Sequence, residues 1–198
     1  MIQHMVGLFV NPAKEWQVIH DMSDEAIKRQ IPYTILLALI PALSWYIGTT
    51  EFGWSVGSRE TVRITNESAL SLVGVFYLAM VFAVLFIGYA IHWMSHTYGA
   101  KSFPMKGMVI AGFTATPLFI AGAAGVYPIF WLDLIVAALA VAYTVYLLYI
   151  GIPIMMDISV DRGFMYATSI VAVAMVVAVS IMVGTVLFWD LVASPEFT

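Results

Sequence analysis

The chain has 198 residues, 62% of them hydrophobic and only 10% charged, with a net charge of −4, no cysteine and a mean hydropathy of +0.95. A soluble domain averages roughly 45–50% apolar and about 25% charged, so an ordinary soluble domain, a disordered chain and a disulfide scaffold are excluded. The negative balance leaves no surplus of cations for a nucleic-acid backbone, and what remains is an all-α polytopic membrane bundle.

Residues 1–30 read as a cytoplasmic amphipathic segment. Asn11 can cap a helix that starts at Pro12, where a missing N–H costs nothing. Val6, Phe9, Val10, Trp16 and Ile19 are apolar beside Lys14, Glu15 and Asp21, a pattern that can lie among headgroups. Ser23 can cap a second short helix with Asp24 and Glu25 at its positive end. No basic stretch precedes an apolar core with a cleavage site, so the first span is expected to be retained.

Spanning about 30 Å of hydrocarbon takes about 20 mainly apolar residues. Five runs of that kind follow, at about 31–49, 68–95, 108–123, 128–151 and 167–189, with 191–198 as a short external tail. They are continuous rather than alternating, which favours helices over a barrel. Lys14, Lys28, Arg29, Lys101, Lys106 and Arg162 fall on one side of this arrangement, and Arg59 and Arg63 on the other. That bias puts the N-terminus in the cytoplasm and the C-terminus outside. Trp45, Tyr46, Trp54, Tyr127, Trp131, Phe188 and Trp189 would form the outer aromatic belt, and Tyr33, Trp93, Tyr98, Tyr146, Tyr149 and Tyr166 the inner one.

Small residues four apart mark expected helix contacts: Ala111 with Ala115, Ala121 with Gly125, Ala138 with Ala142, Ala174 with Ala178, and Ser180 with Gly184. Pro117 should kink the third span, with Thr114 and Thr116 serving the freed carbonyls.

Few residues carry candidate chemistry. Gly53-Trp54-Ser55-Val56-Gly57 fits the G-x-S-x-G nucleophile pattern. That pattern needs a strand before it and a helix after it, and all four histidines are expected at the opposite face, so we read it as coincidence. Asn66-Glu67-Ser68 is a glycosylation sequon at the membrane edge. His92 and His96 are one helical turn apart, and Asp157 and Asp161 repeat that spacing in the same leaflet, near His20, Asp21, Asp24 and Glu25. Such a set suits zinc or another divalent cation; the alternative is a pair of histidines seated among headgroups beside Trp93 and Tyr98. Asp133 is the one carboxylate expected inside a span, which makes it a transport candidate together with the kink at Pro117. P-loop and dinucleotide-binding signatures are absent.

The order of features, with LFVNPAKEWQVI before the spans, AGFTATPLFIAG in the third and YLLYIGIPIMMDISVDRGFMYAT closing the fourth, resembles the Yip family. These are membrane proteins named for interaction with Ypt/Rab GTPases, and the bacterial inner-membrane members are the most similar. Asn11, Pro12, Pro117, Gly151 and Pro153 match best. The resemblance implies five spans, a cytoplasmic N-terminus and no enzymatic activity. The eukaryotic members' long N-terminal region has no counterpart here, which argues against GTPase binding.

The resulting expectation is a non-enzymatic inner-membrane adaptor or membrane-organising protein without a cofactor. Its partners would be lipids, other membrane proteins or copies of itself. The alternative is a small cation or solute transporter or channel using Asp133, Pro117 and the His92/His96 end.

Overall fold

The structure, a computed structural model, describes residues 2–55, 61–100, 102–191, 194, 196 and 197. Arg59, Lys101 and the Val56-Gly57 half of the G-x-S-x-G pattern lie outside them. Among the described residues the fold is helical, with two isolated β-bridges, Trp54 to Val62 and Ile64 to Phe197.

Two short helices open the chain, α1 (Ile2–Val10) and α2 (Pro12–His20). Asn11 separates them, its Oδ1 accepting the Lys14 N–H at 3.3 Å, with Pro12 as the first helical residue. Ser23 caps α3 (Asp24–Lys28) through the Ala26 N–H at 3.3 Å. The first span is built from pieces: α3, then α4 (Ile31–Leu37), α5 (Leu39–Ile47) and a wide turn over Gly48–Phe52. Thr49 and Thr50 donate to the Trp45 and Tyr46 carbonyls at 2.9 and 2.8 Å, satisfying backbone that this loosened end would leave bare.

The second span is α6 (Asn66–Met94), capped by Thr65 through the Ser68 N–H, and it ends in a tight turn at Ser95–Tyr98. The third is α7 (Pro104–Thr114) and α8 (Thr116–Ala121), broken at Ala115 two residues before Pro117. Thr116 donates to the Gly112 carbonyl at 3.4 Å, and its hydroxyl also pairs with the Tyr33 hydroxyl at 3.0 Å. The hydroxyl of Thr114 is buried without a partner, so Thr116 alone serves the break.

The long helices α9 (Phe130–Met156) and α10 (Val160–Leu191) complete the five helical stretches long and apolar enough to cross a membrane. The turn between them is set by Asp157 in the left-handed region, φ 52°, with the Ile158 N–H reaching back to the Pro153 carbonyl at 3.3 Å. This is the six-to-one closure of a helix end.

Helices in lipid gain little from apolar burial and associate through close packing. The most extensive helix contact is α6 on α7, where Gly88 faces Gly107: a Cβ on Gly88 would lie 2.5 Å from the Met108 Cα. The main core sits at the end where α6 finishes and α10 begins, around Leu8, Trp16, Ile19, Phe113, Leu147, Ile152 and Tyr166. A smaller cluster, Ile64, Ala69 and Leu72 with Trp45, Tyr46, Trp54 and Phe188, holds the opposite end. Of the small-residue pairs, Ala111 and Ala115 are buried, whereas Gly184 has open space beside it and Ala178 and Ser180 are exposed.

Candidate functional site

The N-terminal segment is not laid loosely on a membrane surface. Leu8, Trp16 and Ile19 are fully buried, and α2 packs along α9. The Trp16 indole fills the space left by the missing side chain of Gly151, where a Cβ would meet the ring at 2.6 Å. The Tyr143 hydroxyl donates to the Leu8 carbonyl at 2.8 Å, and its ring stacks on Phe9 at 5.3 Å. His4 Nδ1 and Glu15 Oε1 close the α1–α2 hairpin at 2.5 Å, with both side chains largely buried. The outward residues Val6, Phe9, Val10 and Val18 remain exposed, as do Lys14, Lys28 and Arg29.

His20 joins this segment to the α9–α10 turn. Its Nε2 lies 2.9 Å from Asp157 Oδ2, and its Nδ1 lies 3.1 Å from Asp21 Oδ1. A histidine with a carboxylate on each ring nitrogen can serve both only by donating from both, as imidazolium. Asp157 first, then Asp21, therefore raises the His20 pKa above its ordinary value, against the smaller opposing effect of burial. Both residues were visible in the sequence as polar groups expected at this end, with Asp157 grouped beside the His92/His96 pair; that Asp157, 137 positions away, pairs with His20 was not.

The expected metal ligands are distributed differently. The His92 and His96 rings are 6.5 Å apart and inclined at 65°. His92 Nδ1 is buried without a partner, and His96 is exposed. Asp157 is engaged by His20, and Asp161 is exposed on the first turn of α10. Among the described residues, no three His, Asp or Glu side chains converge as a metal site would require. The two histidines are neighbours, but the two aspartates do not complete a set with them.

Asp133 stands on the first turn of α9, partly exposed, with Oδ1 buried and unpartnered. Pro117 is buried in the break of the third span. Neither lines the recess between α5, α6 and α10 or the one beside His96. Ser55 follows Trp54, whose backbone pairs with Val62 in an isolated bridge, so among the described residues no strand leads into it.

The Yip1 domain family model matches residues 6–181, nearly the whole of the helical structure described above. The chain belongs to the Yip1 domain family. It is 34% identical over 188 residues to the inner membrane protein YohC of Escherichia coli strain K12, covering 95% of this chain and 96% of that protein. YohC of the O6:H1 strain matches to the same extent. No solved structure matches the chain. With five apolar helices, this Yip1 domain protein is an integral inner-membrane protein. The buried Trp16 and the capped Asn11-Pro12 turn fall inside the family region, so the N-terminal hairpin is part of the domain and not an appendage.

Proposed function

We propose that this Yip1 domain protein is a non-enzymatic adaptor or membrane-organising protein that works from the cytoplasmic face through its N-terminal hairpin and the α9–α10 turn. The observation that carries the proposal is the His20–Asp157 contact. It fixes the hairpin and the turn into one surface, around which Lys14, Lys28, Arg29, Asp161 and Arg162 stand exposed. A rigid charged surface of this kind suits recognition, because it loses little conformational entropy on binding. The excess of Lys and Arg at this end supports a cytoplasmic N-terminus and an external C-terminus. Lipids are the constant partners, with other membrane proteins or further copies of the chain as the ones to be organised.

The test is site-specific photocrosslinking in native membranes. Trp16 is buried and would report only on the protein itself, so the probes belong at the exposed Val18 and Lys28. Discrete protein adducts at these positions, absent from a probe at Thr61 at the opposite end, are the expected result. Lipid-only adducts at both positions would contradict the adaptor role.

A further inference from the structure

At the charged end lies a second feature that the adaptor role does not call for. The turn at Ser95–Tyr98 and the start of α10 border an open recess of about 420 Å³ lined by His96, Thr97, Tyr98, Gly99, Arg162 and Met165. Gly99 adopts φ 72°, and the Arg162 guanidinium lies over it, 3.1 Å from where a Cβ would stand. Any side chain there would push the cation away. The floor is held firmly: the Tyr98 ring stacks on Tyr166 at 4.7 Å, the Tyr98 hydroxyl meets Ser169 Oγ at 2.5 Å, and Tyr166 donates to the Ile91 carbonyl.

Among the described residues the recess is cationic and holds no ion pair. The ion pairs found among the described residues all use His4 or His20, and Arg162 makes none, not even with the adjacent Asp161. Arg162 offers a planar fork of donors matched to phosphate oxygens, and His96 adds a ring N–H. Both stand at the ends of helices long and apolar enough to span, the level at which headgroups meet such a helix. On α6, which ends at this turn, Trp93, Tyr89, Phe86 and Phe82 are exposed at helical spacing along one face.

We propose that this recess binds the phosphate of an anionic glycerophospholipid, with Arg162 and His96 on the headgroup and the α6 aromatic stripe along an acyl chain. Basic pockets between spanning helices bind lipid headgroups by this combination of charge and depth. The recess shares Arg162 with the surface proposed for the adaptor role, but it holds whichever way the protein is oriented.

The experiment is native mass spectrometry of the full chain released from nanodiscs of mixed phosphatidylglycerol and phosphatidylcholine. The unmodified protein should retain phosphatidylglycerol in preference to phosphatidylcholine. One cation near the headgroups is worth about 1 kcal/mol, so Arg162→Gln should lower that preference about fivefold. His96→Gln should lower it less, and Arg63→Gln at the opposite end should not lower it. All three positions are exposed, and gel filtration of each variant serves as the control that its fold is kept. Unchanged retention in Arg162→Gln, or an equal loss in Arg63→Gln, overturns the site. Binding of inorganic phosphate as strong as that of phosphatidylglycerol overturns the lipid assignment and leaves a free-anion site.

Discussion

His20 sets a pH dependence whose sign follows from its surroundings. Its pKa in the folded protein is raised above 6.5, with Asp157 as the main cause and Asp21 next. The contribution to stability is therefore fully present below the unfolded value of 6.5 and is lost as pH rises through the raised folded value. Lys106 lies near enough to oppose this charge weakly, and the imidazole keeps some contact with water. The contribution is thus that of a partly solvated pair, about 1 kcal/mol or less. Hydrogen exchange should show Ile19–Asp21 and Ile158 less protected at alkaline pH, and His20→Gln should abolish that dependence. A pH-independent profile in the unmodified protein would contradict the linkage. Asp133 poses the converse case, with one carboxylate oxygen buried and unpartnered. An ionised group in that state costs desolvation without return. Asp133→Asn should therefore raise the unfolding midpoint in detergent, by up to about 1 kcal/mol in stability. A drop of several degrees would show that the carboxylate has a structural partner which the amide cannot replace.

At the level of helices, the crossing of α6 and α7 rests on two residues without side chains, Gly88 and Gly107. Gly107→Leu forces the helices apart and should cost about 1–3 kcal/mol, the usual range for overpacking. Gly74→Leu, in the same α6 but with nothing within 4 Å of its Cβ, is the control and should cost little. Thermal unfolding of the two variants side by side separates a packing effect from a general effect of added bulk. These contacts also show where sequence stops informing. Apolar runs name a spanning helix because the bilayer demands them, and Asn11 and Ser23 name helix starts because their side chains complete the first turn. Small-residue spacing, by contrast, compares positions on one helix, while Gly88 and Gly107 act across two. It equally marks Ala178 and Gly184, which the structure leaves uncovered. The N-terminal segment is ambiguous for a related reason. An apolar stripe has the same spacing whether lipid or protein covers it, and Gly151, which makes room for Trp16, lies 135 positions further along the chain.

Across the whole molecule, packing and charge share an end. The larger core, with Trp16, Phe113, Ile152 and Tyr166, lies where Lys14, Lys28, Arg29, Lys106 and Arg162 gather, while the lengths of α9 and α10 away from it expose Leu134, Ile135, Leu139, Val179, Val183 and Leu187. The first half of this pattern was legible from the sequence, since charge placement follows the spans. The second was not, because hydropathy does not distinguish a residue facing lipid from one facing a neighbouring helix. The arrangement makes orientation the property on which the adaptor role turns, and the chain lends itself to a direct measurement because it contains no cysteine. Gln17→Cys places a single thiol on an exposed position of α2 at the charged end, and Thr61→Cys places one on an exposed position of the loop at the other. Neither substitution alters a Lys or Arg, so the charge bias under test stays intact. A maleimide that cannot cross the membrane should label the Thr61 variant in intact cells, and the Gln17 variant only after permeabilisation. The reverse pattern would place the hairpin outside and remove the cytoplasmic adaptor role, while leaving the five-helix fold and the recess at Arg162 as they are.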